Sequence, residues 1–330
     1  MRVSELGEFG LIDLLAKMIT DAGINKSAPD LILGIGDDAA AWYCDKAIQL
    51  ATVDTMVQDI HFSLETITTR ELGWKSLAIN LSDIAAMGGI PRYALVALAL
   101  PIDTQVEAVS QLYQGMIDIS QQFKVAIVGG NISRSPVISI TITVLGKSPD
   151  NKILRRATAR PGDTIAITGY TGSASAGLEM LTKKLKLKPE VTEYLRNAFL
   201  HPVPRIAEGQ TLLKYGITTA IDTSDGLLAD LRHICEASQV SARVDTDQLP
   251  IHDMVKASFG ERAVELALGG GEDYELLFTG NAEAIEQVKA ELSCPVTSIG
   301  KITAGEPGKI NLFDTKGKPM KIVKMGWSHF

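Results

Sequence analysis

The chain predicts a two-domain fold of the α+β kind, with a mixed α/β arrangement in each half, and three observations carry that reading. Its 330 residues exceed what one typical core encloses. Apolar segments of strand length and of helix length follow one another through both halves. A turn-rich stretch at 147–162, with Ser148-Pro-Asp-Asn151 and then Arg160-Pro-Gly-Asp163, separates them. The expected domains are therefore 1–148 and 149–330.

The elements are justified in order. Phe9, Ile12, Leu15 and Ile19 recur at helical spacing, so 9–20 reads as an amphipathic helix. Short strands at 31–35 and 48–53 run into Asp37-Asp38 and Asp54. Thr69 is placed to cap a helix over 70–87, which Gly88-Gly89 terminates. A buried strand covers 93–100, and Thr104 is placed to cap a helix running to 123. Strands follow at 125–128, ending in Gly129-Gly130, and at 137–145, rich in Ile, Val and Thr. The second half opens with a strand at 164–168 and a Gly169–Gly172 turn. Helices at 173–185, 189–199 and 204–215 come next. A strand at 218–221, a helix at 227–237 and a strand at 242–244 lead to a loop with helices. The remainder reads as strand 274–279, helix 282–292 and strands 296–302 and 309–313.

Composition narrows the function. The chain is 45% hydrophobic and 22% charged with a net charge of -7, which argues against a basic nucleic-acid surface. Cys44, Cys235 and Cys294 are too dispersed for a disulfide framework or a C-x-x-C metal site. The longest apolar runs are strand-length, too short to span a bilayer. Residues 1–10 carry charge and no apolar stretch of a secretory leader, so cytoplasm is the expected compartment.

The chemistry lies in acidic residues and glycines. Asp37, Asp38, Asp54, Asp222 and Asp225 fall at expected strand ends or beside glycines, and Asp83 lies within the helix that Gly88 ends. A cap or turn explains any one of them. Together they favour a shared Mg²⁺ site, because hard oxygen ligands suit that ion, and a polyphosphate substrate. Gly34-Ile-Gly36-Asp37-Asp38, Gly129-Gly130-Asn131 and Gly269-Gly270-Gly271-Glu272-Asp273 read as loops whose bare backbone approaches phosphate, or as three tight turns. Nothing reads G-x-x-x-x-G-K-[ST], and protein-kinase motifs are missing, so ATP use would require another nucleotide fold.

These residues carry a resemblance that runs nearly end to end. Its parts are Gly7-Glu-Phe9, Gly34-Ile-Gly-Asp-Asp-Ala39, Asp54-Thr-Met-Val with His61-Phe62, and Asn80-Leu-Ser-Asp-Ile-Ala-Ala-Met-Gly88. Gly129-Gly-Asn131, Asp222-Thr-Ser-Asp-Gly-Leu227, Gly270-Gly-Glu-Asp-Tyr-Glu-Leu276 and Gly326-Trp-Ser-His-Phe330 complete it. The chain resembles the thiamine-monophosphate kinase family, of the superfamily that includes aminoimidazole ribonucleotide synthetase. The Gly-Gly-Glu-Asp-Tyr-Glu-Leu run and the closing Trp-x-His-Phe are the specific parts. Selenophosphate synthetase would want a reactive Cys or selenocysteine near the N-terminus, and the hydrogenase-maturation relative a C-terminal Cys; this chain has neither.

The resemblance implies an aminoimidazole ribonucleotide synthetase-like fold and a homodimer whose N-terminal sheets pair into a barrel. It implies ATP as phosphoryl donor, several Mg²⁺ ions, thiamine monophosphate as acceptor, and the last step of thiamine diphosphate synthesis. Carried over by motif, Asp37, Asp38, Thr52, Val53, Asp54, Asp83, Asn131, Asp222 and Asp225 match metal positions. Asn131 stands where many relatives carry Asp, keeping a carbonyl oxygen and losing a charge. Tyr113, Gly130, Asn131, Arg156 and Ser224 match nucleotide positions; His61, Glu272 and Trp327 match acceptor positions. Arg156 and Asp225 are the expected catalytic pair. Without the resemblance, His61 reads as a core histidine and Trp327 as a packing anchor. A phosphate acceptor is anionic near neutral pH and needs no general base, which fits the lack of an obvious one.

Overall fold

The computed structural model describes residues 10, 17, 30–34, 36–44, 47–314, 316–320 and 326. Of the helix expected over 9–20 only residues 10 and 17 are described, and Trp327 lies outside the described residues. The first sheet contains β1 (Leu31–Leu33), β2 (Ala40–Cys44), β3 (Ala47–Val57), β4 (Ile90–Leu100), β5 (Ala126–Arg134) and β6 (Ser139–Lys147). Its order is β1-β2-β3-β6-β4-β5, antiparallel throughout except for the parallel β4–β5 pair. It is open, with β1 and β5 at its edges.

Alternation along β3 decides what each face does. Ile48, Leu50, Thr52 and Met56 are buried, whereas Val53 between them is 58% exposed. The inward set packs under α1 (Thr69–Ala86), which lies beside α2 (Val106–Phe123). The two helices approach so closely that a Cβ on Gly115 would stand 1.8 Å from the Arg70 carbonyl oxygen, and one on Gly73 1.9 Å from that of Leu112. The outward set, including Val53, Leu95 and Tyr93, leaves an apolar sheet face that no helix covers among the described residues.

The second sheet runs β13-β12-β9-β11-β7-β10-β8, built from β7 (Thr164–Thr168), β8 (Thr219–Asp222), β9 (Ser241–Asp245), β10 (Leu276–Gly280), β11 (Val296–Thr303), β12 (Ile310–Phe313) and β13 (Pro319–Met320). Helices cover both of its faces. Ile165, Ile167, Ile221 and Leu277 meet α3 (Ser173–Thr182), α4 (Pro189–Leu200), α6 (Leu227–Ala237) and α8 (Arg262–Gly269). Ala166, Ala220, Leu276 and Phe278 meet α5 (Ile206–Lys214) and α9 (Ala282–Glu291). A short helix α7 (Asp253–Phe259) completes the set. Helix α1 joins the two cores: Leu77 and Leu81 belong to the first, while Ala85 and Ala86 pack with the second. Among the described residues, no helix is long and apolar enough to cross a membrane.

Four local expectations are corrected. The cap of α1 is Thr68, not Thr69, because Thr68 Oγ1 and Glu71 form a reciprocal capping box. Thr104 does not cap α2; its hydroxyl bonds the Pro101 carbonyl, and the helix starts after Gln105. Asp54 lies within β3 rather than beyond a strand end, since pairing with β6 continues to Val57 opposite Ser139. Gly129-Gly130-Asn131 is not a loop but part of β5. A Cβ on Gly130 would meet the Val96 carbonyl oxygen at 1.8 Å, so glycine is required for β5 to lie against β4.

Candidate active site

A cleft of about 1490 Å³ opens where β3, α1, the 3₁₀ turn Arg156–Thr158, the start of α6 and the Gly269-Gly270-Gly271 loop converge. One end is acidic. Asp38, Asp83 and Asp222 bring carboxylate oxygens within 4.8 Å of one another. Each is held by its own element. Thr52 on β3 donates to Asp83 Oδ2 at 2.5 Å, and Ser82 on α1 donates to Asp222 Oδ2 at 2.6 Å. Asp54, one pleat on from Thr52, donates its N–H to Asn80 Oδ1 at 3.0 Å. Asp222 ends β8, and the following Thr223-Ser224-Asp225-Gly226 turn delivers the chain into α6.

Arg156 sits against this group. Its Nη2 donates to Asp38 Oδ1 at 2.6 Å and its Nε to Asp38 Oδ2 at 3.2 Å, a two-point contact that fixes the guanidinium plane. Its backbone N–H reaches Asp37 Oδ2 at 3.4 Å. The acids still outnumber the cation. Burial, then Asp38, pushes the Asp222 carboxyl up to about 8. Burial, then the neighbouring Asp54, Asp222 and Asp38 charges, holds Asp83 well above the ordinary range. Burial and Asp38 push Asp37 up to about 6. Like charges crowded at low dielectric resist ionisation, and the all-oxygen donor set is of the kind that suits a hard divalent cation.

The other end is apolar, lined by Ile60, Phe62, Ile67, Ile79, Leu178 and Phe199. One ion pair is set into it: Lys75 Nζ lies 2.8 Å from Glu272 Oε1 and 3.5 Å from the Phe199 ring centroid. The lysine is 1% exposed, and its contact with Glu272 is close without the angle of a well-formed hydrogen bond. Burial pulls its ammonium below the usual lysine range, against the pull of Glu272. His61 Nδ1 accepts the Val57 N–H at 3.0 Å, which puts the proton of the neutral ring on Nε2.

The structure brings most of the expected residues to one place. Asp37, Asp38, Thr52, Val53, Asp54, His61, Asp83, Arg156, Asp222, Ser224, Asp225 and Glu272 all line the cleft. Tyr113, Gly130 and Asn131 do not: Tyr113 packs on α2 against the first core, and β5 is the far edge of the sheet. Gly270 and Gly271 line the cleft for a packing reason as well, since a Cβ there would fall 2.2 Å from Ser175 Oγ and 2.4 Å from the Ser224 carbonyl oxygen. Sequence reasoning missed Lys75, Ser82 and Phe199. Lys75 was legible as the one charge between Gly73 and Leu81 in a helix with no polar face, four and eight residues before Ile79 and Asp83.

Comparison with known proteins gives a consistent set of matches. Residues 36–148 match the model for the AIR synthase related protein, N-terminal domain, and 160–312 match that for the C-terminal domain. The thiamine-monophosphate kinase of Bacillus subtilis (strain 168) is 36% identical, over 98% of this chain and 100% of the relative. That of Escherichia coli (strain K12) is 37% identical over 98% of each. Among solved structures, AaThiL complexed with AMPPCP and TMP aligns over 100% of this chain and 99% of its own, at 34% identity and a TM-score of 0.86. Hydrogenase maturation protein HypE in complex with ATP aligns over 84% of this chain and 85% of its own at a TM-score of 0.69; its 18% identity is a likeness of fold alone.

Proposed function

We propose, from the premise that the chain belongs to the thiamine-monophosphate kinase family of AIR synthase related proteins, that it transfers the γ-phosphate of ATP to thiamine monophosphate, forming thiamine diphosphate. The observation that carries this reading is a single cleft with a polyacid end facing an arginine and an apolar end holding a carboxylate. A relative of closely similar fold binds an ATP analogue and TMP together.

The roles follow from the chemistry. Two anionic phosphoryl groups must approach in line, so the barrier is electrostatic. Asp38, Asp83 and Asp222, with Asp37, Asp54, Asp225 and oxygens of Thr52 and Val53, would hold Mg²⁺, which when bound would neutralise phosphate charge. Arg156, already fixed in plane by Asp38, would steady the transferring phosphoryl group, with Asp225 and Ser224 beside it. No nucleophile is asked of the protein, because the acceptor phosphate attacks directly. The apolar end would take the two rings of the acceptor, with Glu272 available to their positive or amino groups and His61 Nε2–H to the ester phosphate. Trp327 is assigned to acceptor contact on the family pattern alone.

Tyr113, Gly130 and Asn131 would reach a nucleotide only from a second copy, and this supports a homodimer. Among the described residues, the face of the first sheet that no helix covers exposes Val53, Tyr93 and Leu95, an apolar area suited to burial against its counterpart in a barrel-like pairing. Asn131 shares that face, in the cross-strand row Thr55–Thr141–Ala97–Asn131. Cytoplasm is the compartment that such a use of ATP suits, and 1–148 and 149–330 remain our division into domains.

A coupled assay tests the acceptor. ADP release that requires thiamine monophosphate, and does not occur with free thiamine or without acceptor, supports the reading. Equal ADP release with all three would overturn it.

A further inference from the structure

Lysine 75 has no role in the reading above, yet it occupies an unusual position. It lies on the face of α1 that enters the cleft, with Ile79 and Asp83 following at spacings of four. One helix face thus runs from the apolar end to the acidic end, a rise of about 12 Å between Lys75 and Asp83. The ammonium is fully enclosed, between the Phe199 ring at 3.5 Å and Glu272 Oε1 at 2.8 Å. Glu272 itself is 28% exposed at its side chain and lines the cleft.

Stability does not account for this charge. Replacing a buried ion pair by apolar groups of similar volume is commonly neutral or favourable, and Lys75 already lies against the apolar Phe199 ring. What the lysine does is hold a carboxylate still. The backbone of Glu272 is already pinned: its N–H donates to the Ser224 carbonyl at 2.8 Å, and its φ of +71° is a left-handed conformation in which the preceding glycines set the path. Its side chain retains three rotatable bonds, and the contact of Oε1 with Lys75 restrains that freedom in a side chain that lines the cleft.

We infer that Lys75 is a positioning residue that fixes Glu272 for recognition of the organic end of the phosphoryl acceptor, and that it does not act on the phosphates. The inference rests on the reading that Glu272 contacts the acceptor. It deepens that reading, because it makes acceptor affinity depend on a side chain sealed beneath the contact surface.

The test is a double-mutant cycle on the intact chain, with KM and kcat for thiamine monophosphate and for ATP, acceptor Kd by calorimetry, and Tm. Lys75→Met keeps the apolar stem and leaves a carboxylate that water can reach, so the variant folds. The expected result is an acceptor KM and Kd raised about tenfold or more, with kcat and the ATP KM within about twofold. Glu272→Gln should show a similar acceptor defect, together with a lower Tm from the stranded ammonium. The double variant should recover Tm and be no worse for the acceptor than Glu272→Gln alone. A Lys75→Met variant with wild-type acceptor KM and only a changed Tm overturns the inference, as does a double variant whose defects multiply. A wild-type acceptor KM in Glu272→Gln instead removes Glu272 from the acceptor site, and the inference falls with it.

Discussion

At the scale of single residues, the acidic end is in conflict with itself, and that conflict is measurable. Asp83 is half-buried among Asp54, Asp222 and Asp38, all of which disfavour its ionised form. Asp83→Asn should therefore raise Tm in EDTA, by about 2 °C or more, while reducing transfer by at least about a hundredfold. Thermal melts paired with turnover check both halves; a lower Tm in EDTA would mean that Asp83 is not repelled. The pH dependence follows from the same crowding. Asp222 is pushed up to about 8, so the folded chain keeps a proton that the unfolded chain has released. Its contribution to stability is present below the ordinary carboxyl value and is lost as pH rises through about 8. His233 is pushed down to about 4, so it is neutral in the folded chain here and adds only a small opposing slope, from unfolded chains still protonated below about pH 7.5. Between pH 6.5 and 8.5 the metal-free protein should lose Tm as pH rises, and Mg²⁺ should restore more Tm at pH 8.5 than at 6.5. A metal-free Tm that climbs over that window contradicts the arrangement. The acids were legible in the sequence because they stand beside glycines and in short motifs. The Lys75–Glu272 and Arg156–Asp38 contacts were not, since residue type alone does not reveal which charges a fold seals together.

At the scale of elements, α1 is the frame of the site. Asn80 and Asp83 on it meet β3, Ser82 meets Asp222, and Lys75 meets Glu272. Its depth is set by glycines rather than by side chains, because Gly73 and Gly115 let backbone touch backbone. Gly115→Ala should cost about 1–3 kcal/mol or more in urea unfolding, since the neighbour it meets is the Arg70 carbonyl and not a flexible tip. A change below about 0.5 kcal/mol would show that the helices can part freely. The sequence disclosed α1, β7 and α6 nearly to the residue, because caps, glycines and β-branched runs mark their ends. It misled at Gly129-Gly130, where a pair of glycines reads as a turn while its use is close strand packing. It also misled at Asp54, where a single acid within an apolar run looked like an ending and is instead a polar residue on the helix-covered face of a longer strand.

At the scale of the whole molecule, the two cores share α1, and the cleft opens beside it. The general architecture was legible, since strand and helix signals alternate in both halves. The uncovered face of the first sheet was not: Val53, Tyr93 and Leu95 are ordinary strand residues until the sheet shows which side the helices leave bare. Leu95→Asp places a charge in the middle of that face. In sedimentation analysis it should convert a dimer of the wild-type chain to a 35.4 kDa monomer, with loss of turnover if Tyr113 and Asn131 serve a neighbouring copy. A dimer that survives the substitution would move the interface elsewhere.

The most direct measurement is chromatographic analysis of the products formed from ATP, Mg²⁺ and thiamine monophosphate by the purified chain. The account predicts thiamine diphosphate and ADP in equal amounts, and neither product when free thiamine replaces the monophosphate. ADP accumulating without thiamine diphosphate, or phosphate released in its place, would contradict it.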